Sequence, residues 1–62
     1  MRTEVIMTNG NAHLLAVEYD DFVKAVKNNL ENGIIFQEAE TILGRKITLK
    51  ISEISEICTS KV

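Results

Sequence analysis

Cys58 is the only cysteine in this chain and His13 the only histidine. A polypeptide of 62 residues with one cysteine cannot close an internal disulfide. It also lacks the set of thiolates and imidazoles from which a tetrahedral zinc site is assembled. Chains this short usually need one of those staples, or association with another chain. The surface scaling laws give about 10,000 Å² unfolded and about 4,000 Å² folded for this mass. If about 60% of the buried ~6,000 Å² is apolar, burial contributes on the order of 90 kcal/mol. Ordering the residues at about 1.5 kcal/mol each costs a similar amount. The near-zero balance points to self-association, most simply a homodimer.

The remaining bulk properties narrow the class. The chain opens on Met1, has no proline, and shows no Ser/Gly-rich stretch, so it is read as one domain spanning residues 1–62. No apolar run approaches the ~18 residues of a membrane span. The opening MRTEVIMTNG lacks the apolar segment of a signal peptide. A single cysteine suits a reducing compartment, and a cytoplasmic protein is expected. The net charge of −2 argues against non-specific binding to nucleic acid.

Residues 3–8 (TEVIMT) alternate as a strand does, with Val5 and Met7 on one face and Ile6 on the other. Asn9-Gly10 is a strong hairpin signal and predicts a type I′ turn, with positive φ at both positions. Residues 12–18 (AHLLAVE) form the return strand. Leu15, Val17 and Tyr19 share one face, and Leu14 and Ala16 the other. Both faces are partly apolar, so this strand is expected at the centre of a sheet or under an interface. A helix is expected from Asp20 or Asp21, either of which can cap it and favour its positive end. Phe22, Val23, Val26 and Leu30 make its apolar stripe. Gly33 suits the left-handed closing position.

Residues 34–43 (IIFQEAETIL) read as a strand, with a helix over 37–43 as the alternative. The strand is preferred because residues 47–51 (ITLKI) alternate cleanly beyond Gly44. A two-residue turn at 44–45 would set Ile47, Leu49 and Ile51 opposite Ile42, Glu40 and Glu38. A three-residue loop at 44–46 sets them opposite Leu43, Thr41 and Ala39, and keeps carboxylates off the apolar face. The segment KISEISEIC repeats Ile-Ser-Glu with a period of three, which suits neither strand nor helix. Ser52 is expected to cap one tight turn over 52–55. Residues 55–59 then form a short edge strand with Ile57 inward. The order is ββαβββ, an α+β fold in which one helix packs on a curved antiparallel sheet; the alternative is ββααβ.

Little in the chain carries chemistry. His13 lies on a strand with no nucleophile at a recognisable spacing, and reads as an ordinary surface or half-buried residue. Cys58 sits among Ile54, Ile57 and Glu56, and Glu56 should raise its pKa, the opposite of activation. Glu38 with Glu40, and Glu53 with Glu56, read as solvated acidic faces and not as a metal site. Three isolated glycines form no phosphate-binding loop. No catalytic residue, metal or cofactor is assigned, and an enzyme is not expected.

Two binding functions remain. The first is a homo-oligomeric accessory or regulatory protein that works by protein–protein binding. Its candidate self-association residues are Leu14 and Ala16 on the second strand, and Ile54 and Ile57 with Val62 at the apolar edge of the last. The second is a nucleic-acid binder using the basic hairpin residues Arg45, Lys46 and Lys50. Only Tyr19, Phe22 and Phe36 could supply stacking rings, and at least two of them are expected in the core. The segments VIMTNGNAHLLAVEYDDFVKAV and GRKITLKISEISEI resemble those of short uncharacterised proteins of Gram-positive bacteria and of their phages and plasmids. That resemblance implies a regulatory or accessory role.

Overall fold

The computed structural model describes residues 1–61. Its elements are β1 (Arg2–Met7), β2 (Ala12–Glu18), α1 (Tyr19–Glu31), β3 (Phe36–Glu40), β4 (Lys46–Lys50), a single 3₁₀ turn (Ile51–Glu53) and β5 (Ile54–Ser60). The fold is α+β with the expected order ββαβββ, and every strand pair is antiparallel. The helical alternative for residues 37–43 does not occur; Gln37 to Glu40 belong to β3. Val62 lies outside the described residues.

The strands form a three-stranded sheet in the order β2-β1-β5 and a two-stranded sheet β3-β4. β1, not β2, is therefore the central strand. The two sheets meet along a thin seam. One isolated bridge joins Leu15 to Thr41, and the Ile42 N–H donates to the Leu14 carbonyl at 3.0 Å.

Five apolar side chains close the interior: Val5, Leu15, Phe22, Val26 and Leu49. Alternation along β1 and β2 delivers Val5 and Leu15 to the face beneath the helix. Leu49 is the one buried residue of the β3–β4 hairpin. Met7, Val17, Ala39, Ile47, Ile51, Ile54 and Ile57 pack around this nucleus, half-buried. Phe22 is the only aromatic in the core; Tyr19 is half-buried and Phe36 is exposed. Thr3 is fully buried, and its hydroxyl donates to the Val17 carbonyl at 2.9 Å. This bond sits where the register of β1 against β2 jumps from Arg2↔Glu18 to Thr3↔Leu15. It gives the carbonyl of the bulged strand a partner.

The helix begins one residue earlier than the acidic pair suggested. Glu18 is its N-cap and makes no side-chain capping bond, while Asp20 and Asp21 lie in the first turn. Their charges still face the positive end of the dipole, without serving as caps. The helix closes in a Schellman arrangement. The Gly33 N–H donates to the Leu30 carbonyl at 3.1 Å and the Ile34 N–H to the Asn29 carbonyl at 2.8 Å. The core-facing line runs through Phe22, Val26 and Asn29, and Leu30 turns out to solvent. The Asn29 amide makes that inward position tolerable by donating to the Gln37 side chain at 2.7 Å and the Phe36 carbonyl at 3.3 Å.

Both hairpins use one turn plan. In the first, the Gly10 N–H donates to the Met7 carbonyl and the Met7 N–H to the Asn11 carbonyl. In the second, Gly44 to Thr41 and Thr41 to Arg45 repeat the pattern. Gly10 and Gly44 have φ of 91° and 83°, while no other type of residue described has positive φ. The type I′ turn expected at Asn9-Gly10 is thus replaced by a longer connection with a single left-handed glycine. The Asn9 side chain instead accepts from the Asn11 N–H at 2.9 Å.

The second turn explains the register of its hairpin. Ile47 faces Ala39 and Leu49 faces Gln37. Neither of the two pairings considered from the sequence occurs, because Thr41 to Arg45 are spent in the turn. The preferred one did have the correct parity, so the apolar face is preserved and Glu38 and Glu40 point outward. The Ile-Ser-Glu repeat resolves similarly. The tight turn is Ile51–Glu53, one residue earlier than expected, and Ser52 makes no capping bond. Glu53 fastens it to the first hairpin. Its carbonyl accepts from the Thr8 N–H at 2.8 Å, and its carboxylate from the Thr8 hydroxyl at 2.7 Å. β5 then runs from Ile54 to Ser60 along β1.

Candidate functional site

His13 pairs with Val5 on β1, and Ile57 pairs with Val5 from the other side. Leu14 and Cys58 both pair with Glu4. Side chains alternate across a sheet, so His13 and Cys58 project from opposite faces. They form no nucleophile–base pair. The Cys58 thiol donates to the Glu56 carboxylate at 3.0 Å. That bond holds the proton on sulfur and, with the nearby charges of Glu56 and Glu4, raises the thiol pKa. The acidic residues are dispersed: Glu53 is engaged by Thr8, Glu56 by Cys58, and Glu38 and Glu40 lie on the outer face of β3. Among the described residues no three of His, Cys, Asp and Glu gather closely enough to hold a metal ion. No helix among them is long and apolar enough to cross a membrane.

The basic hairpin residues are placed together and exposed. Lys46 and Lys50 share the outer face of β4, with Arg45 at the end of the turn. Lys46 stands directly opposite Glu40, and Thr48 opposite Glu38. The face therefore alternates sign. An open cleft of about 410 Å³ runs over it between the two carboxylates and Lys46. Phe36, opposite Lys50, is half exposed at one end of the same face.

The self-association residues divide into two groups. Leu14 and Ala16 lie on β2, half-buried and exposed respectively, and Leu14 shares the outer face of the three-stranded sheet with Cys58. Ile54 and Ile57 are packed against the core instead. They are not an outward apolar edge, because the 3₁₀ turn sets Ile54 opposite Met7, and Ile57 opposite the buried Val5.

The larger apolar surface lies elsewhere. Leu30, Ile34, Ile35 and Phe36 are 54%, 47%, 55% and 50% exposed. They occupy the end of α1 and the entry into β3, within seven residues of sequence. Leu43, at the tip of the second turn, is 86% exposed. Sequence reasoning assigned none of these to a surface. A signal was present, since three large apolar residues in succession cannot all face one side of a strand.

Comparison with protein-family models, curated proteins and solved structures returned no match.

Proposed function

We propose that this protein works by protein–protein binding, as a small homo-oligomer in an accessory or regulatory role in the cytoplasm. One observation carries the reading: among the described residues five apolar side chains are buried, while six large ones are left exposed. The accessible surface of 4279 Å² sits slightly above the ~4,000 Å² that the scaling law allots a folded chain of this mass. Burial is thus close to that of an ordinary folded chain of this size, and the support for association is the large apolar side chains left exposed. Light scattering coupled to size-exclusion chromatography from about 1 µM to about 1 mM is the test, bracketing weak and moderate association. A mass that rises to a defined multiple supports the proposal, and a strict monomer throughout removes it.

A second reading is a nucleic-acid binder on the outer face of the β3–β4 hairpin. Phe36 beside Lys50 favours it, as an exposed ring next to a cation suits base stacking. Glu38 and Glu40 on the same face oppose it by offsetting Lys46 and Lys50. A gel shift with mixed RNA and DNA at ~50 mM salt separates the two, because phosphate contacts are strongest at low salt. Absence of any shift retires this reading.

A further inference from the structure

We infer that the free edge of β5 pairs antiparallel with the same edge of a second copy, about a two-fold axis at Cys58. The inference rests on the binding reading above and supplies its contact.

The direction of the backbone groups carries it. The Met7 N–H points to the β2 side, donating to the Asn11 carbonyl, and the Met1 carbonyl points the same way, accepting from the Tyr19 N–H. The Thr8 N–H points to the β5 side and donates to the Glu53 carbonyl. Successive residues of a strand alternate in this direction, so Arg2, Glu4 and Ile6 turn toward β5. Their partners there are Ser60, Cys58 and Glu56. Those three spend their N–H and C=O groups on β1, and Ile57 and Thr59 turn theirs to the far side. β5 ends its sheet, and among the described residues no strand lies on that side.

The pairing of β5 with β1 is regular from Glu56 to Ser60, and the shift beside Met7 skips Ser55. Cys58 is the middle of the regular stretch. A two-fold there sets Ile57 against the partner's Thr59, and Thr59 against the partner's Ile57. Both become hydrogen-bonded pairs, so every outward N–H and C=O of the two residues finds a partner.

Charge complementarity selects a second copy for this edge. The same operation sets Glu56, the one charged residue of the stretch, against the partner's Ser60. The free edge of β4 fails that test. Thr41 donates to Arg45 and Ile51 to Ile35, so Lys46, Thr48 and Lys50 turn their backbone groups away from β3. A two-fold at Thr48 would set Lys46 against the partner's Lys50, and like charges directly opposite are destabilising. Lysines guard an edge in this way, and β5 has neither lysine nor proline.

The pairing also covers apolar surface. An open cleft of about 370 Å³ lies between α1 and β5, lined by Tyr19, Val23, Ile54 and Ile57 and by no residue of β1 or β2. It therefore flanks the free edge. The partner's Thr59, opposite Ile57 and on the same face of the extended sheet, lies at its mouth.

The experiment measures mass by light scattering for the parent chain, Thr59→Pro and Thr48→Pro. Proline at 59 removes an outward N–H and leaves the β1–β5 ladder whole, the one place a strand tolerates it. Thr48→Pro does the same on β4. The expected result is a dimeric parent, Thr48→Pro of parent affinity, and a folded Thr59→Pro whose self-dissociation constant is about tenfold weaker or more, because two hydrogen bonds are lost per dimer. Undiminished affinity in Thr59→Pro, or an equal loss in Thr48→Pro, overturns this surface and leaves the binding reading standing. A parent that stays monomeric to about 1 mM overturns both. Should either variant unfold by circular dichroism, cross-linking with diamide decides. Diamide takes up the two electrons and two protons released as two thiols join in one S–S bond. At the two-fold the Cys58 Cα atoms form a non-hydrogen-bonded pair about 4.5 Å apart, within the span of a disulfide. In the double variant Cys58→Ser, Ser60→Cys the two thiols are four residues apart along the strands, about 14 Å, and out of reach. Parent cross-linking at least about tenfold faster than in the double variant supports the pairing, and equal rates overturn it.

Discussion

Replacing Thr3 by valine tests whether a single hydroxyl stabilises the bulge between β1 and β2. Thr3 is fully buried, and its hydroxyl is donated to the Val17 carbonyl at 2.9 Å, at the point where the strand register shifts. Thr3→Val keeps the branched shape and removes the donor. Leaving this part-buried carbonyl without its donor costs about 1–3 kcal/mol, the upper end applying only if water cannot reach it. The methyl group that replaces the hydroxyl returns about 0.8 kcal/mol of apolar burial. The hydroxyl wins by about 0.2–2.2 kcal/mol, at its upper end a large share of the ~3–5 kcal/mol a domain this small commands. At about 4–8 °C per kcal/mol, the melting temperature should fall by several degrees. Urea and thermal unfolding followed by far-UV circular dichroism measure this. They must be run at one protein concentration, because association would add to apparent stability. A Thr3→Val protein that melts at or above the parent temperature, with an unchanged urea m-value, refutes the reasoning. It would mean that the bulge carbonyl needs no side-chain donor.

Three further outcomes are expected. Leu49→Ala removes the only buried side chain of the β3–β4 hairpin and should cost about 2–5 kcal/mol; a cooperative melt within a few degrees of the parent would contradict it. Gly44→Ala meets no atom within 4 Å but must hold φ at 83°, so its cost is backbone strain alone, about 1–2 kcal/mol, read as a lower urea midpoint. Glu56→Gln removes the carboxylate that hydrogen-bonds the Cys58 thiol and raises its pKa. The thiolate should then form at lower pH, and alkylation at a fixed mildly alkaline pH should be faster than in the parent; an equal or slower rate would show that Glu56 does not hold the proton.

Much of the architecture was legible because period and punctuation agreed. Val5 and Met7 alternate with Ile6, Phe22 and Val26 lie a turn apart, and Gly33 stands where the helix ends. These local signals needed no knowledge of the tertiary fold. Failures arose where apolar residues occupy positions that turns usually give to polar ones. Ile42 and Leu43 looked like the end of a strand, yet they fill the second turn in the places that Thr8 and Asn9 fill in the first. Counting them as strand displaced the pairing of Ile47 from Ala39 to Leu43. Ile57 is legible as inward, yet Ile54 and Ile57 also read as an association edge, and packing against the core leaves their side chains little to offer there. Only the pairing of β5 with β1, a contact distant in sequence, puts them under the helix. The exposed group at Leu30 and residues 34–36 went unassigned for a related reason. A helical stripe predicts which side chains can be buried, not whether enough neighbours exist to bury them. At Leu30 the inward place went to Asn29, whose amide found partners in β3.

The thin seam between the two sheets has a dynamic consequence. Where every strand is laddered to the next along its whole length, opening one strand strains all of them. Here one bridge and one added hydrogen bond at the Ile42 turn join the β3–β4 hairpin to β2, the Asn29 amide ties the start of β3 to α1, and Leu49, flanked by half-buried Ala39 and Ile47, is its one buried foothold, so the turn end is the least held. Those few ties place the hairpin at the low end of the molecule's local opening energies. It should detach as a flap while β2, β1 and β5 stay laddered, exchanging its amides first and giving a protease its earliest cut near Leu43.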